Sequence, residues 1–158
     1  MFQAYSCGGG NNYKLLIGGD GEIEKVQQYI IDNKLDNVAE YIGWISGEEK
    51  TKLLNEVDVF VLPSYNEGLP ISILEAMSYN LPIISTKVGG IPEVLKNEYN
   101  GYLINPGDLI ALENAISALI DNPSKRKLQG KRSGEIVKSF LPEQVIRQLD
   151  YLYKELLL

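Results

Sequence analysis

An α/β fold on a parallel sheet is predicted by two features of this sequence. Up to residue 105, short apolar runs bounded by Gly, Pro, Asn or Asp alternate with helix-patterned segments, which is the signature of strands joined by right-handed helical crossovers. After residue 105 the apolar runs stop and only helical periodicity remains, so the chain ends in helices laid on the sheet.

The expected strands are YKLLIG (13–18), NVAEYIG (37–43), VDVFVLP (57–63), LPIIST (81–86) and GYLIN (101–105). Each is short and mostly apolar, as strands buried on both faces are. The first helix is expected from about Gly21 to Lys34, with Ile23, Val26 and Ile30 on one face and Asp20 as its cap. The second begins at Ser46, which with Glu49 makes a capping box, and turns Leu53 and Leu54 inward. The third runs from Pro70 to about Tyr79; proline suits a first helical position because its missing N–H has no partner there. Three amphipathic helices follow at 108–121, 124–138 and 142–157, the last with Val145, Leu149, Leu152 and Leu156 on its packing face.

Composition narrows the chemistry. The chain has 158 residues, 44% apolar and 23% charged, with a formal net charge of −6. That is one ordinary globular domain or a large piece of one, and its acidity argues against general nucleic-acid binding. No run of 18 apolar residues occurs, and the start MFQAYSCGGGNN lacks the basic and apolar segments of a signal peptide. The single cysteine, Cys7, leaves no internal disulfide, which fits a reduced, cytoplasmic setting. Histidine is absent. Any chemistry therefore falls to carboxylates, hydroxyls, amides and cations.

The segment EGLPISILE (67–75) concentrates the functional signal. It follows the strand-like run DVFVLPS (58–64) and supplies a glycine, Gly68, then Pro70 at the head of a helix. A strand, a turn with open amides and a helix N-terminus together form an anion site. Glu67 and Glu75 bracket that site and can accept hydrogen bonds from sugar hydroxyls, so the segment points to a sugar carrying phosphate. Each residue also has a plainer role: Glu67 as a solvated loop acid, Glu75 as an acid complementing the helix dipole.

With YKLLIGGDG (13–21), NVAEYIGWIS (37–46), the block from Val57 to Thr86, VGGIPEVL (88–95) and NGYLINPGD (100–108) in view, the chain resembles the C-terminal domain of retaining glycosyltransferases of family 4, also called glycosyl transferases group 1. The resemblance runs from about Tyr13 to the C-terminus. It implies a Rossmann-like, doubly wound parallel sheet, the C-terminal half of a GT-B architecture, in which this half binds a nucleotide-sugar donor and a missing N-terminal half binds the acceptor. It implies transfer of a sugar from a nucleotide diphosphate to an acceptor hydroxyl with retention, and no cofactor or metal. Glu67 would contact the donor sugar at the reacting carbon and Glu75 the ribose hydroxyls. Gly68 and Leu69, ahead of Pro70, would offer amides to the diphosphate. Gly43 and Trp44 would meet the base. Gly19, with Gly18 and Gly21, and the pair Gly89 and Gly90 are either turns or cleft lining. Trp44 is either at the base or a cover on the core edge.

The resemblance also marks departures. The family domain opens with a strand–loop–helix unit carrying an Arg and a Lys for the diphosphate, and no basic residue precedes Lys14. Residues 1–12 are accordingly expected to be a flexible remnant, MFQAYSC as the tail of that unit's helix and GGGNN (8–12) as a link, with 13–158 as the nucleotide-sugar-binding domain. In a 3-2-1-4-5-6 order the central strand would then be vacant. The sheet closes up, residues 1–7 fill the gap, or another chain does, which makes homo-oligomerisation through exposed strand edges an expectation. Without the upstream cations this stretch alone is expected not to transfer sugar. The basic group Lys125, Arg126, Lys127, Lys131 and Arg132 faces either solvent or an anionic lipid or acceptor. Surface polysaccharide or glycolipid assembly in the cytoplasm, peripheral to the inner face of the membrane, is the implied setting. A non-catalytic nucleotide-sugar binding module and a sugar-nucleotide epimerase of the same fold are the alternatives; the latter usually relies on histidine. Asn80 stands where a glycine is usual, and asparagine tolerates the left-handed backbone such a turn needs.

Overall fold

The computed structural model describes the backbone of residues 2–7 and all of residues 13–156. All five expected strands form: β2 (Lys14–Gly19), β3 (Ala39–Gly43), β4 (Val59–Leu62), β5 (Ile83–Thr86) and β6 (Gly101–Ile104). A further strand, β1 (Phe2–Cys7), completes a sheet of order β3-β2-β1-β4-β5-β6. The pairs β2–β3, β4–β5 and β5–β6 are parallel, as right-handed crossovers require.

β1 corrects the reading of MFQAYSC as a helix tail. It occupies the central place between β2 and β4, but runs antiparallel to both. The reason is chain length. Cys7 pairs with Lys14, and a parallel return needs a dozen or more connecting residues where an antiparallel one needs only a few. The inner edges of β2 and β4 are thus paired within the chain, which removes the reason given for oligomerisation. The GGGNN link lies outside the described residues.

Helices cover both faces. β4 shows why: Phe60 and Leu62 face one way, Val59 and Val61 the other, and all four are buried. Phe60 and Leu62 join Ile83 in a core closed by Leu54 of α2 (Gly47–Glu56) and by Ile73, Ala76 and Met77 of α3 (Ile71–Ser78). Val59, Val61 and Ile84 pack against Ala115 and Leu119 of α5 (Leu109–Ile120). Full burial of each of the larger side chains among these (Val, Leu, Ile, Phe or Met) is worth roughly 1.5–3 kcal/mol.

Several local expectations change. α1 (Ile23–Asp32) has Glu22, not Asp20, at its N-cap and buries only Ile30. Ser46 does occupy the N-cap of α2, but its hydroxyl makes no capping bond, so the capping box does not form. Capping falls instead to Asp108, which accepts from the Ala111 amide at 2.9 Å, and Asn122, which accepts from that of Lys125 at 2.9 Å. Asn122 heads α6 (Pro123–Ile136). A short α4 (Ile91–Val94) and a 3-10 turn (Val137–Phe140) fill the remaining connections. α7 (Pro142–Leu156) is amphipathic as expected but buries none of its residues; Val145, Leu149, Leu152 and Leu156 all stay exposed. Asn80 takes the left-handed backbone at φ 59°. Gly130 and Gly134 of α6 make room for it, since a Cβ on either would lie 2.0 Å or less from Asn80 atoms.

Candidate functional site

The chain winds outward from β2 to β3, crosses to β4 and winds outward again to β6. In such sheets the crevice at the strands' C-terminal ends, where the winding reverses, receives ligands. The loop after β4 lies there and carries Glu67, Gly68 and Leu69, with Pro70 buried at the N-cap of α3. β1 brings the start of the chain to the same end of the sheet, where Phe2 pairs with Gly19.

This loop is locked by its neighbour. The Gly90 amide donates to the Gly68 carbonyl at 2.7 Å. Gly89 has φ 52°, and a Cβ there would sit 2.1 Å from the Glu67 carbonyl oxygen and 2.4 Å from that of Gly68. Only glycine permits both the left-handed backbone and that approach. Gly89 and Gly90 therefore brace the Glu67 loop. Two hydroxyls fix the strand ends behind it: Thr86 Oγ1 donates to the Ser64 carbonyl and Ser85 Oγ to that of Leu62.

Glu67 is held by this brace with an electrostatic debt. Its Oε1 is buried and has no hydrogen-bond partner among the described residues. Leaving a buried polar group unsatisfied costs about 1–3 kcal/mol, and more when it is charged. Nothing among the described residues accepts a hydrogen bond from the Gly68 or Leu69 amides either. At the opening turn of α3 the first amides are unpaired by the geometry of a helix. One loop thus presents an unsatisfied carboxylate and open amide donors.

Glu75 lies on α3 and is partly exposed. It is ion-paired with Lys50 of α2, whose ammonium donates to Oε2. Lys50 has no periodicity or motif to mark it in the sequence; only the packing of α2 beside α3 reveals it. Trp44 is 69% exposed and so does not cover the core edge. It follows Gly43, which takes φ 76° at the end of β3, a strand separated from β4 by β2 and β1. Gly19 takes φ 137° and is held by Tyr41, whose hydroxyl donates to its carbonyl at 2.6 Å. Glu67, Gly68, Leu69, Gly89 and Gly90 form one contiguous group, while Gly19 and Trp44 lie at and just beyond the C-terminal ends of β2 and β3.

The basic group is largely used inside the fold. Arg126 donates to the Leu119 and Ile120 carbonyls and pairs with Asp58. Arg132 stacks 4.3 Å from the Tyr99 ring, and Lys125 lies 5.0 Å from that of Tyr102. A hydrogen bond to Tyr102 holds Lys125 above its ordinary pKa. Lys127 and Lys131 remain exposed. Among the described residues no helix is long and apolar enough to cross a membrane.

Comparison with known proteins agrees with this architecture. The profile of the family described as "Glycosyl transferases group 1" matches residues 5–135. An uncharacterized glycosyltransferase of Methanocaldococcus jannaschii, MJ1178, is 32% identical over 146 residues, covering 92% of this chain and 41% of that protein. The UDP-Gal:alpha-D-GlcNAc-diphosphoundecaprenol alpha-1,3-galactosyltransferase of Escherichia coli is 32% identical over 137 residues, 85% of this chain and 34% of that one. The structure of sucrose-phosphate synthase from Thermosynechococcus elongatus superposes with a TM-score of 0.77 at 28% identity, over 90% of this chain and 37% of that one. The chain spans well under half the length of these relatives. It belongs to the glycosyl transferases group 1 family and carries the α/β fold of a GT-B glycosyltransferase.

Proposed function

We propose that these residues form the donor-binding domain of a retaining family 4 glycosyltransferase, which moves a sugar from a nucleotide-diphosphate donor to an acceptor hydroxyl. The observation that carries the reading is the buried, unpartnered Oε1 of Glu67 in a loop braced by Gly89 and Gly90. A carboxylate fixed in that state is satisfied by a ligand's hydroxyls, and it stabilises positive charge growing at the anomeric carbon as the diphosphate leaves. The Gly68 and Leu69 amides and the N-terminus of α3, just after Pro70, would take the diphosphate. Glu75 would accept two hydrogen bonds from the vicinal diol of the ribose. Gly43 and Trp44 would meet the base and Gly19 would border the cleft. No metal or cofactor enters this scheme.

The acceptor half, implied by the greater length of the relatives, would complete the transferase. A diphosphoundecaprenol-linked acceptor in the name of one relative supports surface polysaccharide or glycolipid assembly, on the cytoplasmic side and peripheral to the membrane. These 158 residues by themselves are expected to hold donor without turning it over. A transfer or donor-hydrolysis rate equal to that of a two-domain enzyme would overturn that expectation.

The test is calorimetric titration of the chain with UDP, GDP and ADP sugars. One of them should bind, and Glu75→Ala should weaken it by about 1–3 kcal/mol, as expected for hydrogen bonds to a charged group. Absence of binding by all three sinks the donor-site reading and leaves only the fold.

A further inference from the structure

We propose that Lys50 is a positioning residue for Glu75, setting how well the site distinguishes a ribose diol from a deoxygenated sugar. The inference rests on the donor-site reading above and adds a residue to it. Lys50 stands one turn ahead of the buried Leu54 on α2, and residues four apart share a helix face. Leu54 enters the same core as Ile73 and Met77 of α3, so that face is turned toward α3. The ammonium meets Oε2 of Glu75 there. The lysine is the more covered partner, its side chain 20% exposed against 42% for the glutamate. A lysine packed to this degree is not a solvated arm that happens to touch an acid.

The pair does little for folding. With its glutamate 42% exposed the pair is still screened by water, and such ion pairs contribute about 0–1 kcal/mol. Its consequence is for the carboxylate, which is held in one rotamer with one oxygen anchored. That oxygen keeps a second lone pair and the other oxygen keeps two, enough for both hydroxyls of a diol. Without Lys50 the carboxylate must be immobilised by the ligand itself, and affinity for the diol falls. Contacts to base and phosphate are untouched.

The experiment titrates the 158-residue chain, Lys50→Met, Lys50→Arg and Glu75→Gln with UDP, GDP and ADP, then with the 2′,3′-dideoxy form of whichever binds most tightly. Lys50→Met is expected to lose about fivefold in affinity for the ribonucleotide, in the range of one charged hydrogen bond's indirect effect, and nothing for the dideoxy form. Lys50→Arg should restore most of the loss, and Glu75→Gln should remove the preference for ribose. Melting temperatures should shift by no more than about 2–4 °C, the shift that roughly 1 kcal/mol produces in a chain of this size. Equal losses for both sugars, or a large drop in melting temperature, would show a merely structural pair and overturn the inference. A Glu75-dependent ribose preference that Lys50→Met leaves intact would overturn it while sparing the donor-site reading. No binding by any diphosphate would overturn both.

Discussion

The units β4–α3–β5 and β2–α1–β3 are the same motif, a strand, a helix and a parallel strand, yet they are packed very differently. Every residue of β4 and β5 is buried, and α3 buries four of its eight residues, Ser72, Ile73, Ala76 and Met77. In the other unit β3 buries only Ala39, and α1 buries only Ile30 of its ten residues. The difference is position. β4 and β5 are interior strands, with one core against α2 and α3 and another against α5, while β3 is an edge. The Glu67 loop grows from the deeply packed unit. Sites are held to their working geometry by rigid elements and a supporting shell, and the brace of Gly89 and Gly90 belongs to that shell.

The sharpest way to break this comparison is to make the same cut in both units. Ile73→Ala should cost about 2–5 kcal/mol, because Ile73 is fully buried in the core between α3 and the sheet and the cavity cannot collapse. Ile30→Ala, beneath an exposed helix at the sheet edge, should fall at the bottom of that range or below it. Urea denaturation of both variants measures this. Equal losses would mean that the two units are equally rigid and that the burial contrast has no energetic meaning.

A smaller effect should follow from the brace. Gly89→Ala puts a methyl against two carbonyl oxygens on a left-handed backbone, so the loop must move. The backbone strain alone is about 1–2 kcal/mol. Gly47→Ala shares the left-handed backbone (φ 55°) but meets nothing within 4 Å, so it should show the strain alone. If Gly89→Ala is no more destabilising than Gly47→Ala, and binds nucleotide diphosphates equally well, the brace is not what fixes the Glu67 loop.

The same contrast explains what the sequence could and could not reveal. The deeply packed unit was legible because burial dictates composition: VDVFVLP and LPIIST are predominantly apolar, and EGLP announces the turn between strand and helix. Asn80 was legible for the same kind of reason, since few residues accept φ 59°. β1 was legible only in part: residues 1–7 stand among the three ways to fill the central gap, while the resemblance assigns MFQAYSC to a helix tail. The run FQAYSC ahead of a Gly- and Asn-rich link and another strand is itself a hairpin pattern. Lys50 and the Gly130 and Gly134 contacts with Asn80 were illegible for a different reason. They depend on which helices are neighbours, and nothing in the periodicity of α2 or α6 encodes that. Ser46 and Glu49 show the reverse failure, a correct local signal that the structure does not use.

Helix caps give a finer test of the contrast. Asp108 caps α5, which covers the outer face of β4 and β5, and its carboxylate accepts from the Ala111 amide at 2.9 Å. Asp108→Ala should cost about 1 kcal/mol, typical of losing an N-cap. Ser46→Ala, at the helix leaving the edge strand β3, removes no capping bond and should fall within about 0.5 kcal/mol of zero. Thermal denaturation of the two variants resolves a difference of this size. A full cap's worth of loss at Ser46 would mean that its hydroxyl engages the helix in solution.

The smallest effect belongs to the outer surface of α1. Ile31 follows the buried Ile30 but is 64% exposed, since neighbouring positions on a helix face different ways. Ile31→Asn should therefore change stability by no more than about 0.5 kcal/mol, despite replacing a large apolar side chain. A loss approaching that of Ile30→Ala would place Ile31 under a cover absent from the described residues, by another segment or another chain. The edge unit would then be thinly packed only in isolation, and the contrast with β4–α3–β5 would reflect what the edge binds and not how it folds.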